Sequence, residues 1–398
     1  MPAFPQTTVW TDATGDWFTS ANWSAGVPDS STIAQINNGG TAQVMATGAA
    51  ASEVELGVAA GDVGTLSISG GGTLGSMNIG ESGTGTLNIT AGGIVQDSEA
   101  TVGSGSGSTG LVVVDGAGTT WTPDGAITVG GDTTGTGTLT ISNGATVISG
   151  INGSGSVIGH NPTSSGTVNV TGAGSTWTIK ASLSISDAGG VGVLNIVDGA
   201  VNSGGSILGT FGGSGTATVD GNISGWSING DLSVGGAFGG VETVSVTRGA
   251  MIGSTNGLIG NGSSSSGTVE VAGHDATWAN SGNVYVGGDA SDSVGAGELH
   301  LAFGGTVSAA AITVWSTGLL SGNGFVHAAE VTNQGTLAPN EIISMSGDLT
   351  FNSTAIMSLS VTPDTADEVM AKDTAALDGQ LNVTLTGGRL SWVCSTLC

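Results

Sequence analysis

Basic residues are nearly absent from this 398-residue chain: Lys180, Arg248, Lys372 and Arg389 stand against 30 aspartates and glutamates, for a net charge of −26. That balance repels phosphate backbones and anionic lipid surfaces, so neither nucleic acid nor an acidic membrane is an expected partner. Cysteine is scarcer still. Cys394 and Cys398 both fall in the last five residues, far from any histidine, which leaves the body of the chain without a disulfide framework or a cysteine-based zinc site. No stretch approaches the roughly 18 apolar residues of a membrane helix. The run around 309–312 is soon broken by Thr313, Ser316 and Gly318, so no membrane-spanning segment is expected. The opening MPAFPQTTVW has neither a charged n-region nor an apolar h-region, and no secretory signal is visible in it.

Glycine is what the chain has in excess, 75 of 398 residues, and that content excludes long helices while the accompanying Val, Ile, Thr and Ser favour extended chain. Apolar residues alternate in short runs, as at Leu139 and Ile141 or Leu194 and Ile196, a pattern that disordered linkers lack. A collagen-like Gly-X-Y period is missing as well. An ordered all-β chain follows. One phrase, glycine followed by two alternating β-formers, restarts at Gly64, Gly85, Gly110, Gly137, Gly166, Gly192, Gly215, Gly240, Gly267 and Gly297, at intervals of 21 to 30 residues. Periods of that size mean a solenoid or array. In every second copy a tryptophan stands 11 residues after the glycine: Trp121, Trp177, Trp226 and Trp278. The true unit is a pair of copies.

If each copy is one coil of a parallel β-helix, ten coils at about 4.8 Å make a rod of roughly 48 Å. Within GTLNI, Leu87 and Ile89 then point inward while Thr86 and Asn88 face solvent. Tryptophans on alternate coils stand about 9.6 Å apart, too far for direct ring stacking, so residues of the intervening coil lie between them. Two roles are open to Trp121, Trp177, Trp226 and Trp278: core or corner packing, and an exposed ligand-binding ladder.

Four segments follow from these patterns. Residues 1–30 carry Trp10, Trp17 and Trp23, bulky enough to cap the open end of a solenoid, with carbohydrate stacking as the other use of the three indoles. Residues 31–308 hold the repeat array. Residues 309–385 loosen the period but stay strand-like, and residues 386–398 change character abruptly and read as an aberrant tail, truncated or frameshifted.

Catalytic signatures are poor. There is no Gly-x-Ser-x-Gly elbow, and the G-x-G-x-x-G match at Gly105, Gly107 and Gly110 is expected by chance at this glycine content, with no helix to follow it. His160, His274, His300 and His327 are far apart in sequence, and His300 lies between inward Leu299 and Leu301, which places it on the outer face. A β-helical polysaccharide-degrading enzyme needs converging carboxylates; Asp187, Asp198, Asp220 and Asp231 could line up on adjacent coils, although aspartates beside glycine are usually turn formers. Turns at Gly130-Gly131-Asp132 and Gly287-Gly288-Asp289 only partly echo a calcium-binding nonapeptide. The expectation is a non-enzyme without cofactor or metal.

These motifs resemble a known family. Gly-x-h-x-h-x-Gly-x-Gly/Asp-x-x-Trp at 110–121, 166–177 and 267–278, followed by h-x-h-Gly-Gly-Asp from Ile127 and Val284, is similar to the repeat of type V secretion and PEP-CTERM-associated bacterial proteins. The opening W-x₃-T-G-D-W-x₄-N-W-x-x-G-V-P from Trp10 resembles the start of autotransporter passenger domains, and NQGTLAP from Asn333 with GDLTF from Gly347 resembles their C-terminal β-helix. The resemblance implies a right-handed parallel β-helix passenger, exported by a translocator barrel that this chain does not contain. It further implies display at the cell surface or outer membrane, or secretion, and an adhesin or stalk role toward a host or matrix glycan or protein.

Overall fold

The computed structural model describes residues 5–131, 134–236 and 238–386. Asp132, Arg389, Cys394 and Cys398, singled out from the sequence, lie outside the described residues. The fold is an all-β solenoid of parallel strands, about 15 turns with a spacing near 25 residues. Its described strands join in one continuous 41-stranded sheet. The only helix among the described residues is a 3-10 turn, Ser20–Asn22. The stack is longer than the ten copies of the phrase because residues before Gly64 and after Ser308 also wind into coils: Gln6–Val9 pairs with Thr32–Ile36, and Ile356–Val361 pairs with Gln380–Leu385.

Each full coil has three faces. One coil runs Thr84–Thr90, Ile94–Asp97 and Ala100–Val102; the next runs Thr109–Asp115, Thr120–Pro123 and Ile127–Val129, each strand parallel and in register with the one before it. The first face carries the repeat phrase, the second the tryptophans, the third a short apolar strand. The period-2 alternation does the sorting: Leu87, Ile89, Val112, Val114, Leu139 and Ile141 are fully buried, while the residues between them look outward. Burying each such aliphatic contributes about 1.5–3 kcal/mol, and stacking aligned coils makes the buried set continuous. Outward asparagines stack too, with Asn195 Nδ2 donating to Asn169 Oδ1 at 2.9 Å.

Two corners account for much of the glycine held at positive φ. Where the third face turns into the next coil, one residue adopts positive φ and its N–H donates to the coil below, as Gly80 (φ +73) does to the Leu56 carbonyl at 2.8 Å. A Cβ on Gly80 would lie 2.3 Å from the Thr109 carbonyl oxygen of the coil above, so the position demands glycine on space as well as on φ. Ser186 (φ +63) takes this corner at positive φ with a side chain, and its Oγ donates to the Gly190 carbonyl at 2.9 Å. At the other corner, after the first face, φ is again positive. The tryptophan-bearing coils use glycine there (Gly116, Gly172, Gly221, Gly273) and the alternate coils use Ala91, Asn143, Asp198, Arg248 and Phe303. The two-coil unit is therefore written into the turns as well as into the tryptophans.

One coil departs from the phrase as read from the sequence. The frame placed a restart at Gly240, but Glu242 is the residue that pairs with Gly267, and Thr243 pairs with Thr216, just as Gly215 pairs with Gly192. Glu242 stands in the glycine position, and Gly240 belongs to the preceding turn. Pairing with the coil below begins only at Thr216, so the side chain is admitted by a local parting of the strands.

Candidate functional site

The tryptophan strip was the sequence's first candidate. Its four members sit on second-face strands, Thr120–Pro123, Thr176–Ile179, Gly225–Ile228 and Thr277–Asn280, at the inward position of each. Trp121, Trp177 and Trp278 are 0 % exposed and Trp226 is 1 % exposed. A buried indole offers no face to a ligand, so the ligand-ladder reading of Trp121, Trp177, Trp226 and Trp278 is corrected to core packing. The register shows how they pack: Trp121, Val147, Trp177, Val201, Trp226, Ile252 and Trp278 follow one another up a single column, an aliphatic between each pair of rings.

Sequence reasoning missed what holds the indoles. Each Nε1–H donates to the last residue of the strand one coil below: Trp177 to Ser149 Oγ at 3.1 Å, Trp226 to Ser203 Oγ at 3.2 Å, Trp278 to Ser254 Oγ at 3.1 Å. The first of the series uses a carboxylate instead, Trp121 to Asp97 Oδ1 at 2.7 Å. The serines make a second bond, as Ser254 Oγ does in donating to Asn280 Oδ1 at 2.7 Å, whereas Asp97 Oδ2 is buried without a partner. Burial pushes Asp97 up to about 8, against the opposing pull of the indole bond. Glu242 is likewise pushed up to about 8 by burial; it is fully buried and neither carboxylate oxygen has a partner. It fills the space beside Gly209, where a built Cβ would fall 2.0 Å from Oε1. A polar residue that ends an apolar strand, one coil before each tryptophan, was the available signal for Asp97; nothing in the glycine phrase marked Glu242.

The four aspartates do not converge. Asp187 Oδ2 lies 3.2 Å from His160 Nδ1, and Asp220 takes Thr247 Oγ1 at 2.6 Å together with the Arg248 guanidinium. Asp231 Oδ1 accepts both N–H groups of Asn256, and Asp198 forms a positive-φ turn. Each closes its own corner. At Gly287-Gly288-Asp289 the Asp289 carboxylate accepts the N–H groups of Ser291 and Asp292, which closes the loop on itself. Among the described residues no group of three histidines, cysteines or carboxylates is placed to hold a metal ion.

One polar groove does gather chemistry, at the junction of the array with the shortened C-terminal coils. A cavity of about 290 Å3 is lined by Glu270, His300, Phe303, Asn323, Asn340 and Glu341, among others. The ladder puts Glu270, His300 and Ser321 side by side on three successive coils of the first face. His300 is on the outer face between fully buried Leu299 and Leu301, as its position in sequence implied. Ser321 Oγ donates its one proton to Glu298 Oε1 at 2.9 Å, so at 2.8 Å it accepts from His300 Nδ1–H. That bond fixes the imidazole tautomer and leaves Nε2 as an acceptor. Across the groove Asn323 Oδ1 accepts the Phe303 N–H at 2.7 Å while its Nδ2 donates to Glu341 Oε2 at 2.9 Å.

The chain matches no family model and no curated protein sequence. No helix among the described residues is long and apolar enough to cross a membrane.

Proposed function

We propose that the chain is a non-enzymatic passenger of the autotransporter type, displayed at the cell surface or secreted, whose solenoid serves adhesion or acts as a stalk. The observation that supports this reading most is the stack of parallel coils from Gln6 to Leu385, paired in register but for a few local shifts, with apolar side chains turned inward through its body and rows of Thr, Ser and Asn turned outward. A repeated polar face of that length suits a large partner, such as a host or matrix glycan or protein. At about 4.8 Å per coil, 15 coils give a rod of roughly 70 Å, long enough to hold a binding surface away from its anchor. Beads coated with the purified chain should attach saturably to layers of matrix glycoprotein, and free chain should compete. Absence of attachment to every matrix and cell layer tried would count against adhesion and leave the stalk.

A β-helical polysaccharide-degrading enzyme is the second reading. It draws on one observation, the groove that brings Glu270, His300 and Glu341 together. Its test is the release of reducing ends from a panel of neutral and acidic polysaccharides. Turnover that Glu270→Gln abolishes would establish it in place of the passenger reading.

A further inference from the structure

Phe303 is the least expected residue on the surface. It is 80 % exposed and holds φ +52, a left-handed conformation that a bulky side chain adopts only at a cost. The same corner carries Asn143 three units earlier and glycine in every tryptophan-bearing coil, residues that take this conformation with little strain; Ala91 and Arg248 hold it too, but neither projects an aromatic ring. An aromatic ring projected into solvent from a strained turn needs a reason, and the turn is deliberately held: its N–H is bonded to Asn323, which is bonded to Glu341. Glu341 is itself at φ +81, and its own N–H donates to Asp367 Oδ1 at 2.9 Å. Side chains from successive coils, Phe303 to Asn323 to Glu341 to Asp367, thus pin two strained turns on the rim of one groove.

The groove combines an exposed aromatic ring with planar polar side chains carrying both acceptors and donors: the Glu270 and Glu341 carboxylates, the Asn323 amide and the His300 imidazole. Its volume, about 290 Å3, is near the lower end of small-molecule sites and fits one hexose ring. A hexopyranose has one face of C–H bonds that stacks on an aromatic ring and a rim of hydroxyls that bond to carboxylate, amide and imidazole. The carboxylates and the net charge of −26 repel uronic and sialic acids.

We propose that the groove between Phe303 and His300 is a subsite for an uncharged hexopyranose, with the sugar ring stacked on Phe303 and its hydroxyls bonded to Asn323, Glu341 and Glu270. The proposal deepens the adhesive reading and rests on it for the nature of the partner, here a neutral glycan.

The test is a solution titration of the full chain, followed by saturation-transfer NMR, with methyl β-D-galactopyranoside, methyl β-D-glucopyranoside and N-acetylglucosamine, and with glucuronic acid as the charged control. Transfer to at least one neutral sugar and none to glucuronic acid is the expected result. Phe303→Asn, which installs the turn residue used at Asn143, should fold as well as the parent and weaken that sugar at least about tenfold, because the stacking surface is gone. Asn323→Ala, which unpins the turn, should weaken it too. No transfer from any neutral sugar would overturn the proposal, as would equal binding by Phe303→Asn or a preference for glucuronic acid. The bead assay keeps the two readings apart: attachment of beads without sugar transfer in solution refutes the groove and spares adhesion, while sugar binding in solution without attachment of beads refutes adhesion and spares the groove.

Discussion

The two ends of the described solenoid end in opposite states. At the first coil Trp10, Trp17 and Trp23 are 1 %, 0 % and 4 % exposed. Trp23 packs edge-on against both others, at ring-centroid distances of 5.0 and 4.8 Å, and its Nε1–H donates to the Trp17 carbonyl at 2.8 Å. At the last coil the strand Gln380–Leu385 reads QLNVTL, the same alternation as TGTLNI in Thr84–Thr90, yet all its residues are exposed. An open cavity of about 630 Å3 lies there among Phe351, Met357, Leu359, Leu377 and Leu381. Alternation decides which side chains turn inward; only a neighbouring coil or a cap buries them. In a solenoid, stability belongs to the interfaces between coils, and it is strongest where a coil has partners on both sides.

The sharpest way to test that contrast is to truncate one apolar residue in each setting. Trp177→Ala in the middle should cost about 3–5 kcal/mol, because it leaves a large cavity and removes the indole's bond to Ser149, whereas Leu381→Ala in the last coil should stay within about 0.5 kcal/mol. Local opening free energies from native-state hydrogen exchange would compare the two, since coils far apart need not unfold together.

Asp97 and Glu242 give the next effect. Both are raised in the folded chain to about 8, so between about pH 4 and about pH 8 the folded state holds protons that the unfolded state has released. Their contribution is fully present below about pH 4, falls as pH rises and levels off above about pH 8. Thermal melts across that range should show the fall in the parent chain, and Asp97→Ser combined with Glu242→Gly should flatten it. A smaller gain is expected at fixed pH. Glu242→Gly restores the phrase, removes a buried acid that has no partner and should raise stability by about 1–2 kcal/mol at neutral pH, after the entropic cost of glycine. Phe303→Asn should change stability least, a gain of up to about 1 kcal/mol from relief of the strained φ.

Much of this fold was legible in the sequence because a solenoid repeats its reasoning. The inward set at Leu87 and Ile89, the spacer residues between the tryptophans and the outward place of His300 all follow from a period of 2 within strands and about 25 between them. What stayed hidden depends on registration between coils. Gly240 and Glu242 cannot be told apart as the start of a phrase until strand pairing shows which one stands opposite Gly267. The Asp97 to Trp121 bond joins residues 24 apart, and the groove assembles Glu270, His300, Asn323 and Glu341 from four coils whose lengths vary. Phe303 was invisible for another reason: a phenylalanine in a β-rich chain reads as core, and only the turn geometry turns it outward.

The most direct measurement is acrylamide quenching of tryptophan fluorescence in a chain carrying Trp315→Phe and Trp392→Phe, which leaves the seven tryptophans of the first coil and of the column. If the indoles of alternate coils form a column inside the solenoid, quenching in the native chain should be far below that in the unfolded chain, with the emission at short wavelength. Quenching close to that of the unfolded chain would put the indoles at the surface and contradict the packing on which the account is built.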